Sequence, residues 1–210
     1  MDKNLICAVF DMDGTLADTS LITIPACIQA AGEYNCEAPT PEAIQGAIGI
    51  GGLDFYRRLF PSFDDAKLEE IAERIFELEK ENTRKLGAGL LFPGIAELLN
   101  KLTEMGTTLA IASTGETAHV ESILGSTGIK PLFASIKCNS NNKAAMLEEL
   151  LNEYKNHTLY MIGDKPKDSD SARANGIYSI GVGYGFSTDE ELAGFDTVAG
   201  SPGEMLDIIY

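Results

Sequence analysis

The chain carries only two histidines and four cysteines, and half as many lysines and arginines as acidic residues, 16 against 32. Each shortage excludes something. Cys7, Cys27, Cys36 and Cys138 are scattered without a Cys-x-x-Cys pair, and His119 and His157 are their only possible companions. A disulfide framework or a zinc site is therefore a poor reading. Both histidines read as surface residues rather than catalysts, and Cys7 and Cys27, set in apolar segments, as small core residues. No stretch approaches the ~18 apolar residues of a membrane span. The apolar run behind Lys3 stops at Asp11, short of a signal-peptide core. A formal charge of −16 repels nucleic acid and anionic membranes alike. The expectation is a cytoplasmic protein with no nucleic-acid and no membrane partner, in which an anionic substrate needs local positive charge or a metal.

What is present begins at the first strand. Leu5 to Phe10 is a short apolar run, rich in β-branched and aromatic residues, that suits a strand covered on both faces of a parallel sheet. It empties into Asp11, Asp13, Gly14 and Thr15. Two carboxylates two residues apart can share a divalent cation or one proton, and Gly14 lets the backbone turn sharply or approach a ligand. Asp-x-Asp-Gly also opens calcium loops, but those need further oxygen ligands and a late Glu, whereas Leu16 and Ala17 follow here. Taken singly, the pair also suits a solvated turn.

With 210 residues the chain fits one domain with a sizeable insertion. From Asp18 to about Lys85 no strand pattern occurs. Helices are expected over 19–34, over 41–48 behind Thr40 as N-cap and Pro41 in the first turn, and over 53–60 after the break Gly49-Ile50-Gly51-Gly52. Residues 64–86 form an amphipathic pattern whose charged face reads as solvated. From Phe92 onward, helices alternate with short apolar strands at 108–112, 132–136, 158–162 and 177–182. The intervening helices fall after Pro93 and over 116–124, 142–154 and 168–174. Such βαβ alternation implies an α/β fold, a Rossmann-like parallel sheet in three layers with an inserted helical cap. The core is expected over 1–17 and 87–210 and the cap over 18–86.

Polar groups cluster at strand ends: Asp11 and Asp13, Ser113 and Thr114, Lys143, and Asp164 with Asp168. In a parallel sheet these face one edge, where ligands bind. Each type has a part in phosphoryl transfer, which depends on an in-line nucleophile and on neutralising spread negative charge. Individually they are weaker signals, since a lone Ser suits a turn or cap, Lys143 a surface, and Gly163-Asp164 a plain turn.

Together the residues resemble the haloacid dehalogenase-like superfamily of aspartate-nucleophile phosphatases. Asp11-Met12-Asp13-Gly14-Thr15-Leu16 matches its first motif, Ser113-Thr114-Gly115 the second, Lys143 the third, and Gly163 to Asp168 the fourth. The resemblance implies that Asp11 attacks phosphorus and becomes an aspartyl phosphate. Asp13 would protonate the leaving alcohol and then activate water, its pKa raised by a neighbouring carboxylate or by cap closure. Ser113, Thr114, Gly115 and Lys143 would hold the phosphoryl group. Mg²⁺ would rest on Asp11, Asp164 and the Asp13 carbonyl, with Asp168 supporting it through water or orienting Lys143. Dehalogenase members usually lack the second Asp of motif one, so Asp13 favours phosphate chemistry.

Gly51 and Gly52 resemble the cap's glycine-rich substrate loop, and an interhelical turn fits them equally. Arg57 and Arg58 read as a solvated helix face. Phe92 to Ile95, Gly181 to Phe186 and Ser201 to Leu206 resemble the phosphoglycolate phosphatases. The related β-phosphoglucomutases carry a histidine twelve residues after the nucleophile, where this chain has Thr23, and a cap arginine near Gly52. The resemblance thus implies a Mg²⁺-dependent phosphatase acting on a small phosphorylated metabolite, such as phosphoglycolate or a sugar phosphate, as monomer or homodimer. The alternatives are a phosphomutase and a non-catalytic phosphate- or metal-binding regulatory module.

Overall fold

Cys7 to Phe10 are wholly buried, and alternate residues point to opposite sides of the sheet. Ala8 and Phe10 enter one core and Cys7 and Val9 another. That double burial explains the continuous apolar run. A computed structural model describes residues 5–210. Its six parallel strands are β1 (Leu5–Phe10), β2 (Thr108–Ala112), β3 (Ser135–Lys137), β4 (His157–Gly163), β5 (Tyr178–Val182) and β6 (Thr197–Ala199). They lie in the order β3-β2-β1-β4-β5-β6. The order reverses at β1, the topological switch point at which open α/β sheets bind ligands beyond their carboxyl ends.

Four helices follow β1: α1 (Ser20–Glu33), α2 (Pro41–Gln45), α3 (Leu53–Leu59) and α4 (Asp65–Leu86). They share an apolar core of their own, with Ala26, Cys27, Ile44, Phe55, Leu68, Ile71 and Ile75 at its centre. α4 is capped by Asp64, whose carboxylate accepts from Lys67 N at 2.9 Å, and α2 by Thr40. The remaining helices are α5 (Ile95–Glu104), α6 (Thr117–Thr127), α7 (Lys143–Glu153), α8 (Pro166–Ala174), α9 (Asp189–Leu192) and α10 (Glu204–Ile209). α5, α6 and α10 cover one face of the sheet, while α7 and α8 cover the other. No helix among the described residues is long and apolar enough to cross a membrane.

The chain leaves the sheet for the four-helix unit and returns from it at adjacent points. Ala17 bridges Asp13 and also Leu91, the latter antiparallel. Asp18 N donates to Leu90 O at 2.9 Å and Phe92 N to Leu16 O at 3.1 Å.

Three local expectations shift. The strand expected over 132–136 is displaced to Ser135–Lys137, because Lys130–Leu132 coil into a 3₁₀ turn around Pro131. The helix expected from Asp168 begins at Pro166, where proline suits the first helical position. β6, α9 and α10 are short elements that the sequence pattern did not disclose.

Candidate active site

Asp11 continues β1 into the site: its N–H donates to Ile162 O at 2.8 Å. The next residues curl tightly, with Leu16 N and Ala17 N both donating to Met12 O at 3.0 Å. Gly14 stands in that curl at φ 76°, and a Cβ there would come 2.5 Å from Asp164 Oδ2. Only glycine permits both the left-handed conformation and the close approach.

Lys143, at the start of α7, is 3% exposed. Its Nζ lies 2.9 Å from Asp11 Oδ1 and 2.5 Å from Asp168 Oδ1. The other Asp168 oxygen accepts from Lys165 N at 3.0 Å and so caps α8. With both oxygens engaged, Asp168 orients Lys143. Burial disfavours the lysine's charge, but Asp11 and Asp168 outweigh it and hold the ammonium above the usual lysine range. Burial pushes the Asp11 carboxyl well above its ordinary range; Lys143 opposes this, while Asp168, Asp164 and Asp13 add to it.

Asp164 follows β4 and is wholly buried. Its Oδ2 accepts from Phe186 N at 2.9 Å, while Oδ1 has no hydrogen-bond partner. Burial, and then Asp168, push this carboxyl up to about 7. Oxygens of Asp11, Asp164 and Asp168 lie within 4.8 Å of one another. An orphaned buried carboxylate oxygen beside other hard oxygen donors fits Mg²⁺, which favours carboxylates and substrate phosphate. The segment Gly183 to Phe186 closes over this corner, and at Gly185 a Cβ would run into Gly14 O and the Asp164 side chain.

Ser113, at the end of β2, is 1% exposed. Its Oγ accepts from Gly115 N at 3.1 Å, leaving the hydroxyl proton free to donate. Thr114 Oγ1 donates to Gly49 O at 3.4 Å and so touches the four-helix unit.

Two readings need correction. His119 is no surface residue: its Nε2 lies 2.9 Å from Asp13 Oδ1, and its Nδ1 3.7 Å from Glu79 Oε2. Glu79 in turn belongs to the face of α4 that reads as solvated, yet it is buried, and its Oε1 accepts from Thr23 Oγ1 at 2.6 Å. Burial opposes protonation of His119, but Asp13, Glu79 and Glu116 raise it to about 9. Asp13 is correspondingly lowered: burial works to raise it, and the charge and hydrogen bond of His119 prevail. The expectation of a raised Asp13 pKa is thereby overturned, because the partner that fixes it is an imidazolium and not another carboxylate. The available signal was a histidine six residues after Ser113, on the helix that opens at the same sheet edge.

Gly51 and Gly52 line a cavity of about 500 Å³ between the four-helix unit and the sheet edge, which the sheet side enters at Asp13, Thr114, Gly115 and His119. A Cβ on Gly51 would collide with Asn141, so this loop rests directly on the sheet side. α3 has seven residues, too short to present a strong anion site to the cavity. Arg57 pairs with Asp54 and Asp65 on the surface, and Arg58 is exposed, as expected of both.

A buried carboxylate cluster with one lysine, at the switch point of a parallel sheet and roofed by a helical insertion, is the arrangement of an enzyme of phosphoryl-transfer type on a Rossmann-like α/β fold. Residues 8–182 match the model of the haloacid dehalogenase-like hydrolase family, and the chain belongs to that family. It is 28% identical to a 5'-nucleotidase of Pseudomonas aeruginosa over 88% of this chain and 85% of that one. It is 24% identical to a phosphoglycolate phosphatase of Synechococcus elongatus over 96% and 95%. The fold is shared with a predicted phosphoglycolate phosphatase from Haemophilus somnus, with a TM-score of 0.87, 20% identity and all of both chains covered.

Proposed function

We propose that the protein is a Mg²⁺-dependent phosphatase of small phosphomonoesters that works through an aspartyl phosphate on Asp11. The observation that carries this reading is the position of Lys143 Nζ, 2.9 Å from Asp11 Oδ1 and 2.5 Å from Asp168 Oδ1. A lysine so held keeps a nucleophilic carboxylate aimed and offsets its repulsion of a phosphate dianion. Two of its three N–H bonds are committed to carboxylates, leaving one for a phosphoryl oxygen. Ser113 Oγ–H serves a second.

Asp11, Asp164 and the Asp13 main-chain carbonyl would hold Mg²⁺, which when bound would supply neutralisation of charge on the transferring group. The free oxygen of Asp11 attacks phosphorus and the bond to the leaving alcohol breaks. The Asp13–His119 pair holds one proton between them and delivers it through Asp13 to the departing oxygen. Water then attacks the acyl phosphate, and the same pair takes up its proton. Residues 18–86 act as a cap that excludes water during both steps.

Thr23 supports hydrolysis over the mutase alternative, since it is tied to Glu79 where the mutases carry histidine. The test is phosphate release from an aryl phosphate with and without Mg²⁺, for wild type and Asp11→Asn. Metal-dependent release that Asp11→Asn abolishes supports the reading. Undiminished turnover in Asp11→Asn defeats it.

A further inference from the structure

Among the described residues, the wall of the 500 Å³ cavity carries no lysine and no arginine. Five carboxylates face it or its rim: Asp13, Glu69, Glu73, Glu79 and Glu116. The single cationic side chain there, His119, is already hydrogen-bonded to Asp13, with Glu79 3.7 Å from its other ring nitrogen. Among the described residues no lysine or arginine pairs with Glu69, Glu73 or Glu116, although α4 pairs its outward glutamates freely, as Lys67–Glu70 and Arg74–Glu77 show.

Glu79 adds an independent indication. It is 8% exposed, and while Oε1 accepts from Thr23, Oε2 has only His119 Nδ1 at 3.7 Å, beyond hydrogen-bond reach. Glu79 lines the cavity and this oxygen makes no hydrogen bond, so a donor entering the cavity has an acceptor to meet. Apolar and aromatic groups complete the wall at Ile50, Leu53, Phe55, Tyr56 and Phe76. Aromatic faces attract an ammonium and tolerate a short apolar chain. A second phosphate or a carboxylate would meet five carboxylates against one imidazole that is already hydrogen-bonded to Asp13, in a protein that already repels anions through its charge of −16.

We propose that this cavity selects phosphomonoesters whose leaving alcohol bears an amine. The ammonium donates to Glu79 Oε2, the rim glutamates Glu69, Glu73 and Glu116 surround its approach, and its alkyl part lies against Phe76 and Tyr56. The proposal rests on the phosphatase reading and narrows its substrate class. It sets this chain apart from the phosphoglycolate-hydrolysing relatives, whose substrate leaves as a carboxylate-bearing alcohol.

Three phosphomonoesters of similar size and different charge test it: phosphoethanolamine, propyl phosphate and phosphoglycolate. The expected order of kcat/KM is the amine first, at least tenfold above phosphoglycolate, with propyl phosphate between. In the Glu69→Gln/Glu73→Gln double variant the lead of phosphoethanolamine over propyl phosphate shrinks at least threefold. Phosphoglycolate equal to or better than the amine overturns the proposal. Calorimetric binding of the inert phosphonates 3-aminopropylphosphonate and 3-phosphonopropionate decides it independently of turnover. If nothing is hydrolysed, the phosphatase reading falls, yet preferential binding of the aminophosphonate still supports the cavity's selectivity, and preference for the carboxylate still overturns it.

Discussion

His119 Nε2 lies 2.9 Å from Asp13 Oδ1 and so joins α6 to the loop that follows β1. The imidazole also faces Glu79, so a single ring spans the sheet edge and the helical insertion. Because the proposed mechanism stores the leaving alcohol's proton on this pair, His119→Gln is expected to lower kcat by about 10²-fold or more, in the range of general acid–base contributions. In wild type the rate is expected to fall as pH rises through about 9, where His119 would lose its proton. That limb is absent from the variant's pH–rate profile.

The same contact stabilises the fold over a defined pH window. A histidine raised from 6.5 to about 9 contributes stability that is complete below pH 6.5 and lost as pH rises through 9. Thermal melts of wild type and His119→Gln should therefore differ most near pH 6 and converge above pH 9. A difference that grows with pH would contradict the ion pair.

Asp164 acts in the same direction over a lower pH range. Held near 7 instead of 3.8, its carboxyl keeps its proton in the folded protein, and ionising it costs stability as pH rises from about 4 through 7. Mg²⁺ needs the ionised form. The rise in Tm produced by saturating Mg²⁺ should be larger at pH 8 than at pH 6, and Asp164→Asn should abolish it at both.

Asp168 touches no substrate in this reading, yet its loss should be severe. It is wholly buried and holds both Lys143 Nζ and the first turn of α8. Asp168→Ala is expected to cost about 3–5 kcal/mol, the range for leaving one partner of a buried ion pair alone. Denaturant unfolding measures the loss of stability, and aryl phosphate turnover should fall with it.

Gly51→Val tests the cap. A side chain there would strike Asn141 and lift the loop from the sheet edge. KM for small alkyl phosphates should rise several-fold, while aryl phosphate hydrolysis partly survives and Tm changes little. Equal loss on every substrate would mean damage to the sheet instead.

β1, β2, β4 and β5 and the residues of the carboxylate–lysine cluster were legible because each rests on local information. β1 is a short apolar run that ends in a carboxylate, and the residues that converge on it each follow a strand or open a helix. His119 was not legible: its partners Asp13 and Glu79 are brought to it by the tertiary fold, and a lone histidine on a helix carries no periodic signal. The buried carboxylate of Glu79 hid for a related reason, since α4 presents glutamates on several faces and only packing against α1 and α6 shows which one is enclosed. β6 escaped because three residues at a sheet edge, paired from Ile180↔Thr197 onward, are too few to show alternation.

The two chain crossings at Ala17 and Leu91 are neighbours, joined as an antiparallel bridge. Everything between them hangs from a single stem. Removing or exchanging that segment need not change the distance the sheet's chain has to span, and no catalytic carboxylate or lysine would be carried away with it. On the proposed function, chemistry and choice of substrate are housed in separable pieces, and a foreign helical segment grafted at residues 17 and 91 is expected to redirect Asp11 toward other leaving groups.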